Sequence, residues 1–159
     1  MPMPIDALDS VFHPESIAVV GASTNPTSYG YQYTDFLINY GYRGKIYPVT
    51  PTHSEVLGIK AYPRLRDIPG QVSYVICCVS APRIIELLED CSQKGVRAIH
   101  FFTGGLGETG RYDAARLENE ILKRAREYDI RIIGPNCLGI YLRWTPSLGQ
   151  DRGYIKIGS

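Results

Sequence analysis

The sequence has no long apolar run and almost no excess of charge of either sign. Its longest apolar stretch, at positions 74–79, is far shorter than the roughly 20 residues that a membrane-spanning helix needs. Lys and Arg together number 17 and Asp and Glu 16, so the formal net charge is +1. A balance so close to neutral carries no electrostatic signature for nucleic acid or for an anionic membrane. We therefore expect neither nucleic acid nor a membrane as a partner.

Cysteine and histidine are scarce as well. The 4 cysteines include no C-x-x-C pair, and the 3 histidines are scattered along the chain. Zinc needs ligands at close, characteristic spacings, so no metal site is predicted. Cys77 and Cys78 lie inside the apolar stretch, where reduced cysteines serve as small core residues. Since the N-terminus shows no basic region followed by an apolar one, we expect a cytoplasmic protein.

The 159 residues do contain a regular alternation of short β-branched runs and amphipathic segments, with 44% apolar residues to form a core. Residues 52–72 are predicted to be an irregular connection with one helical turn at 65–68. The predicted strands lie at 16–20, 45–49, 74–79, 98–102 and 131–133, and the helices at 29–40, 82–95 and 113–128. The fold class predicted is α/β, a Rossmann-like, doubly wound, mostly parallel five-stranded sheet with helices on both faces.

Ligands bind such sheets at the carboxyl ends of the strands, so the five loops that follow the strands are the candidate site. The first loop, from Gly21 to Gly30, combines a glycine turn, hydroxyl groups and a helix N-terminus, which suits a diphosphate. A purely connecting loop is the alternative, since the G-x-G-x-x-G dinucleotide pattern is absent. The second loop, 49–52, has no Asp or Glu to hold an NAD ribose, and the nearest acid is Glu55.

The remaining loops are small or rich in glycine. Residues 79–82 can lie against a ligand, although Ser80 could instead cap the following helix. Residues 103–107 include three glycines, which favours either close backbone approach to a ligand or a flexible turn. The last loop contains Cys137, but no histidine or other base lies near it in sequence to activate the thiol. His100, within the fourth strand, is expected to be a packed core residue.

At this point the sequence resembles a known family. The motifs VVGAS, VTP, VSAP, TGG and IIGPNCLG follow one another at the five predicted strand ends. In that order they resemble the CoA-binding domain of the NDP-forming acyl-CoA synthetases, including the ADP-forming acetyl-CoA synthetases and, more distantly, the α subunit of succinyl-CoA synthetase. The resemblance covers roughly residues 8–142.

The resemblance implies that coenzyme A lies across the strand ends. The first loop would take the phosphates and the second would lie beside the adenosine. The third and fourth would border the adenine and the pantetheine arm, and the turn at 134–136 would sit towards the reacting end. No residue is expected to be catalytic. The candidate CoA-binding residues are Gly21, Ala22, Ser23, Thr24, Asn25, Ser28, Tyr29, Gly30, Val49, Thr50, Pro51, Val79, Ser80, Ala81, Pro82, Thr103, Gly104, Gly105, Pro135 and Asn136.

The sequence departs from the family in two respects. The family often has a lysine just after the V-x-P turn, able to pair with a CoA phosphate, and this chain has Thr52 and His53 there. The cations that could substitute are Arg43, Lys45, Lys60 and Arg64. The family's phosphohistidine and nucleotide-grasp domains have no counterpart in these residues, so they are expected as partner domains or subunits.

The expected function is therefore CoA or acyl-CoA binding within an ADP-forming acid–CoA ligase, which converts acyl-CoA, ADP and phosphate reversibly to acid, CoA and ATP. Residues 1–142 would form the CoA-binding domain, and residues 143–159 a linker and possibly the first strand of a truncated second domain. Three alternatives stay open: a stand-alone CoA-binding sensor or adapter, the CoA-binding region of a protein lysine acetyltransferase, and an NAD(P)-binding oxidoreductase.

Overall fold

The computed structural model describes residues 11–138, and the predicted linker at 143–159 lies outside them. Five parallel strands form the main sheet, and two very short antiparallel strands form a hairpin beside it. The strands are β1 (Ser16–Val20), β2 (Lys45–Val49), β3 (Glu55–Val56), β4 (Ile59–Lys60), β5 (Tyr74–Cys77), β6 (Ala98–Phe101) and β7 (Arg131–Ile133). The helices are α1 (Tyr29–Asn39), α2 (Ile84–Lys94) and α3 (Tyr112–Glu127). Within residues 11–138, no helix combines the length and apolarity that a membrane crossing requires.

The strand order of the main sheet is β2-β1-β5-β6-β7. Strand β1 pairs with β2 on one side and with β5 on the other, so Ile17 lies between Ile46 and Tyr74. The connection after β1 leads to β2 on one side of β1, and the connection after β2 crosses back over β1 to β5 on its other side. These two connections therefore run in opposite directions along the sheet. This reversal opens a crevice at the carboxyl ends of β1 and β5, which is where ligands bind in such sheets.

Helices cover both faces of the sheet, as predicted, because every residue of β1 is buried and successive side chains point to opposite faces. Ile17 and Val19 pack in the same cluster as Tyr33 of α1. Val20 belongs to the other cluster, together with Leu88 of α2 and other apolar side chains of α2 and α3. The doubly wound prediction is confirmed.

The connection after β2 is more ordered than predicted. Strands β3 and β4 form a hairpin whose turn residues, Leu57 and Gly58, both have positive φ angles of 51° and 79°. Tyr62 joins the connection to β2, because its N–H donates to the Pro48 carbonyl at 3.0 Å and its carbonyl accepts from the Thr50 N–H at 2.9 Å. Pro48 is compatible with β2 because β2 is an edge strand of the sheet.

The other predicted boundaries shift by at most two residues. The run at 74–79 is a strand only to Cys77, and Pro82 lies in a short 3-10 helix at Ala81–Arg83 that precedes α2. A second 3-10 helix at Leu65–Asp67 confirms the helical turn predicted at 65–68. The predicted end of α2 at Gly95 is confirmed, since this residue has a φ angle of 70° and donates to the last turn of the helix.

Candidate functional site

Hydrogen bonds join the first and second loops at the carboxyl end of β1. The N–H groups of Gly21 and Ala22 both donate to the carbonyl of Val49, at 3.0 and 3.1 Å. Gly21 has a φ angle of 91°, and a Cβ there would lie 2.9 Å from the backbone carbonyl carbon of Cys78. These contacts fix the crevice between β1, β2 and β5. They also mean that two of the first-loop amides are already used within the protein.

The polar side chains of the first loop mostly stabilise the loop itself. The Ser23 hydroxyl accepts from the Asn25 N–H at 3.0 Å, and the Asn25 side-chain oxygen accepts from the Thr27 N–H at 3.1 Å. Ser28 is the N-cap of α1, since its hydroxyl accepts from the Tyr31 N–H at 3.2 Å. These contacts present Thr24, whose side chain is exposed, towards solvent and towards His53, with 3.4 Å between Oγ1 and Nε2.

A single buried threonine joins the third and fourth loops. The Thr103 hydroxyl donates to the Val79 carbonyl at 2.5 Å, and its own carbonyl accepts from the Asn136 N–H at 3.1 Å. Thr103 therefore brings the third, fourth and fifth loops together. The alternative role suggested for Ser80 is wrong for its side chain, because Ser80 precedes the 3-10 helix but makes no capping hydrogen bond. Its hydroxyl is exposed at the edge of the site.

The amides of the glycine-rich fourth loop bind carboxylates of the chain itself. The N–H groups of Gly105 and Leu106 donate to Glu108, at 2.6 and 3.0 Å, and the Gly107 N–H donates to Glu118 at 2.7 Å. Hydrogen bonds from its own N–H and from those of Gly105 and Leu106 lower the pKa of Glu108. The fourth loop is thus held in one conformation at 105–107, while Thr103 and Gly104 border the fifth loop.

The fifth loop folds back over the end of β6. The Cys137 N–H donates to the Phe101 carbonyl at 3.1 Å, and the Tyr33 hydroxyl of α1 donates to the Leu138 carbonyl at 3.0 Å. Fully buried His100 lies 2.6 Å, through Nε2, from the carbonyl oxygen of Cys137. This burial confirms the prediction that His100 is a packed core residue. The fold does bring a histidine to Cys137, but the contact is with its backbone.

An aromatic pair missed by the sequence analysis lies at the N-terminus of α1. The ring of Tyr29 packs on Phe102 with 4.0 Å between centroids and an interplanar angle of 41°. Tyr29 is 52% exposed, so one face of its ring is open to solvent beside the first loop. Phe102 was predicted only as the last residue of the strand at 98–102. Its position at that strand end was the signal that could have indicated a place in the site.

A cavity of about 170 Å³ opens at the carboxyl ends of β1, β2 and β5. Its walls include four of the predicted residues, Gly21, Val49, Pro51 and Val79. Its polar lining comes from the connection before β5 and from α2: Arg64, Arg83, Glu86 and Asp90. Of these four, only Arg64 was considered from sequence. The signal for the other three was that α2 begins directly after the third loop, so its first turns must face the strand ends.

Charged groups in this cavity are partly paired. Arg64 and Glu86 form an ion pair at 2.8 Å, and Arg66 approaches Asp90 at 3.8 Å without lining the cavity. Burial raises the pKa of Asp90, and the positive charge of Arg64 acts in the opposite direction. The loop after β2 itself has no carboxylate, as noted from sequence, but α2 brings two carboxylates to the same place. The absence of a carboxylate from the second loop therefore does not by itself exclude a nicotinamide cofactor.

The other cations proposed from sequence lie elsewhere. Lys45 is the first residue of β2, and Arg43 precedes it, so both are at the amino edge of the sheet, opposite the candidate site. Lys60 of β4 sits over the ring of Tyr62, with 5.3 Å from Nζ to the centroid. Arg64 is the one member of that set that lines the cavity. In the part of the chain that the structure describes, no three His, Cys, Asp or Glu side chains are grouped to hold a metal ion.

Comparison with known proteins agrees with this geometry. The sequence pattern that defines the CoA binding domain family matches residues 15–143 of the chain. The chain belongs to this family. It is a CoA-binding domain, and coenzyme A is its ligand. The match spans all five strands of the main sheet and all five loops of the candidate site.

Relatives of this CoA-binding domain include both long and short proteins. The chain is 43% identical over 133 residues to "Acetate--CoA ligase [ADP-forming] II subunit alpha" of Pyrococcus furiosus, covering 84% of the chain but 29% of that relative. It superposes with a TM-score of 0.79 and 38% identity on the dinucleotide-forming acetyl-coenzyme A synthetase 1 of Ca. Korarchaeum cryptofilum, covering 85% of the chain and 28% of the synthetase. A hypothetical protein from Pyrococcus horikoshii is matched over 92% of its own length, with 28% identity and a TM-score of 0.64.

Proposed function

We propose that this chain supplies the CoA-binding part of an ADP-forming acid–CoA ligase. The complete reaction converts acyl-CoA, ADP and phosphate reversibly to the free acid, CoA and ATP. The observation that carries the proposal is the junction of five loops at one edge of the sheet, through Val49, Thr103 and the fifth loop, in a member of the CoA-binding domain family. The names of the relatives from P. furiosus and Ca. K. cryptofilum support the choice of reaction.

CoA in this proposal lies along the edge formed by the five loops. Its diphosphate lies at the first loop, beside Ser23, Thr24 and the N-terminus of α1, where a helix dipole favours negative charge. Its adenosine lies towards β2 and the cavity. Its pantetheine arm passes the third and fourth loops towards the turn at 134–136. The amides of Gly21 and Ala22, which donate to Val49, stabilise the loop and leave ligand binding to its other donors.

The chain positions CoA and leaves the chemistry to other parts of the enzyme. We propose that these parts are a phosphohistidine domain and a nucleotide-grasp domain, on the same polypeptide or on another subunit. Residues 1–142 form the CoA-binding domain in this proposal, and residues 143–159 lead towards the next one. We place the reaction in the cytoplasm, which suits the buried, reduced thiols of Cys77 and Cys91.

A stand-alone CoA-binding sensor or adapter is the second candidate. The observation in its favour is the P. horikoshii protein, of which this chain covers 92%, so a relative of similar length exists. Such a protein would bind CoA through the same loops. The two candidates differ in whether a phosphohistidine domain and a nucleotide-grasp domain act with the chain, and they make the same prediction for CoA binding.

The first prediction concerns binding of CoA by the purified chain. Isothermal titration with CoA should give a saturable heat with one site per chain. Ser80→Asp should weaken this binding about tenfold or more, because the carboxylate would lose hydration where the uncharged pantetheine arm passes the third loop. The Ser80 side chain is exposed and makes no capping hydrogen bond. The free energy of unfolding should change by less than about 0.5 kcal/mol, as is usual at exposed positions.

The matched control is Ser92→Asp, in the last turn of α2, at a side chain that is likewise exposed. It adds the same charge at the opposite edge of the sheet, so CoA binding should be unchanged within about twofold. A titration with NADH should give no saturable heat. Equal loss of CoA binding in the two Asp variants, or NADH binding as tight as CoA binding, would contradict the proposed site.

A further inference from the structure

The cavity beside β2 is too small for a whole coenzyme and is lined by charged groups. Pockets that enclose a complete drug-sized ligand measure about 300–1,000 Å³, whereas this cavity measures about 170 Å³. It therefore takes one end of a ligand whose remainder lies on the surface. Gly21 belongs both to the first loop and to the cavity wall. A CoA molecule whose diphosphate lies at the first loop thus has one end within reach of the cavity.

The chemistry of the lining identifies which end of CoA fits. The pantetheine arm carries amides, a hydroxyl and a thiol, none of them charged near neutral pH. The adenosine end carries a phosphate monoester on the ribose 3′ oxygen, next to a free 2′ hydroxyl. Guanidinium groups bind phosphate through paired, charge-assisted hydrogen bonds, and Arg64 and Arg83 both line the cavity. The adenosine end is therefore the better match.

The two arginines differ in their present partners. Arg64 is paired with Glu86 at 2.8 Å, but the two side chains are 47% and 55% exposed, and such exposed pairs are weak. Among residues 11–138, Arg83 has no carboxylate within ion-pair distance. A phosphate dianion can replace Glu86 as the partner of Arg64 and bind Arg83 at the same time. Asp90 is the second carboxylate of the cavity lining, and burial raises its pKa.

We infer that Arg64 and Arg83 bind the ribose 3′-phosphate of CoA and make the site selective for CoA over dephospho-CoA. The inference rests on the proposed binding of CoA along the five loops. It assigns to these two arginines the phosphate contact for which positions 52 and 53, Thr and His, offer no lysine or arginine. Glu86 is then an internal competitor, which occupies Arg64 until the phosphate arrives.

The test compares titrations of the full chain with CoA and with dephospho-CoA. We expect the native chain to bind CoA about tenfold or more tightly than dephospho-CoA, the range for a charge-assisted hydrogen bond. In the double variant Arg64→Gln/Arg83→Gln, the two ligands should bind within about twofold of each other. In Glu86→Gln, CoA should bind about two- to fivefold more tightly because the competitor is gone, while the affinity for dephospho-CoA should not rise.

Two controls separate this site from its neighbours. Arg66→Gln removes an arginine two residues from Arg64 that does not line the cavity, and it should keep the selectivity. His53→Gln tests the imidazole that lies beside Thr24, and it should keep the selectivity as well. Thermal unfolding of each variant checks that it is folded. If the double variant does not fold, the Glu86→Gln variant still tests the inference, because the inference predicts that this variant gains affinity for CoA.

The outcomes distinguish this inference from the function on which it rests. If neither ligand binds the folded native chain, the proposed function fails and the phosphate subsite fails with it. If both bind equally, CoA binding stands and the phosphate subsite is wrong. Selectivity that survives in the double variant, or that disappears in His53→Gln instead, also overturns the assignment to Arg64 and Arg83. A Glu86→Gln variant that gains affinity for both ligands alike would do the same.

Discussion

Replacing Gly30 by alanine should destabilise the protein by about 2–4 kcal/mol, a large effect for the addition of one methyl group. Gly30 is buried in the first turn of α1, where alanine would otherwise be favoured over glycine by up to about 1 kcal/mol. An alanine Cβ would overlap the carbonyl oxygen of Gly21 and lie 2.7 Å from its carbon. Both are backbone atoms, so either α1 or the end of β1 must move.

This movement should also weaken CoA binding, because Gly21 forms the junction of the first and second loops. Its N–H donates to Val49, and Gly21 itself lines the cavity. Chemical denaturation measures the loss of stability, and titration of the folded variant measures the loss of affinity. If Gly30 contacted only the ligand, alanine would lower the affinity and leave the free energy of unfolding unchanged, and this explanation of Gly30 would be wrong.

Gly107→Ala is a control that adds the same methyl group, but next to a side chain instead of the backbone. A Cβ at Gly107 would overlap the carboxylate end of the Glu118 side chain, which can rotate away, instead of a backbone atom. The cost is then the hydrogen bond from the Gly107 N–H to Glu118, about 1 kcal/mol. An equal loss of stability in the two variants would show that backbone overlap is not what makes Gly30 sensitive.

The strands of the main sheet were predictable because their sequences are locally consistent. β1, β2 and β7 have the predicted bounds, and β5 and β6 begin where predicted. Continuous apolar runs indicate β1, β5 and β6, which are buried at every residue. The hairpin of β3 and β4 was missed because strands of two residues are too short to show an alternating pattern. It depends instead on the positive φ angles of Leu57 and Gly58 and on the hydrogen bonds of Tyr62 to β2.

The candidate site was predictable as a set of loops but not as a set of contacts. The parallel direction of the five strands brings the loops that follow them to one edge, and that followed from the sequence. The use of the Gly21 and Ala22 amides by Val49 depends on packing between elements, as does the binding of Glu108 to Gly105. Arg83 was missed because the sequence alone does not show which side chains around the start of α2 face the cavity.

His100 leads to the second large prediction, a loss of stability in mild acid. Its side chain is fully buried on the α1 face of the sheet, with the ring of Tyr33 edge-on at 5.8 Å between centroids. Since a carbonyl can only accept, Nε2 carries the hydrogen that is donated to Cys137 at 2.6 Å. Nδ1 is buried without a hydrogen-bond partner. Protonation would place a charge and an unsatisfied N–H on that nitrogen, so the folded protein holds the neutral ring.

Burial accordingly lowers the pKa of His100, and the hydrogen bond to Cys137 only partly opposes this. In the unfolded chain a histidine titrates near about 6.5. Below that pH the unfolded state takes up a proton that the folded state does not, so stability is complete above about pH 6.5 and falls as the pH is lowered towards the folded-state pKa. The slope from this one group reaches at most about 1.4 kcal/mol per pH unit.

The measurement compares the free energies of unfolding of the native chain and of His100→Gln between pH 7.5 and pH 5, by chemical denaturation. Glutamine keeps an N–H that can donate to Cys137 but cannot titrate, and its buried carbonyl oxygen should cost about 1–3 kcal/mol at pH 7.5. All other titrating groups are common to the two proteins, so the difference between them isolates His100. This difference should shrink steadily below about pH 6.5. If it is the same at pH 5 as at pH 7.5, the folded protein tolerates the protonated ring and the unpartnered Nδ1 has no energetic consequence.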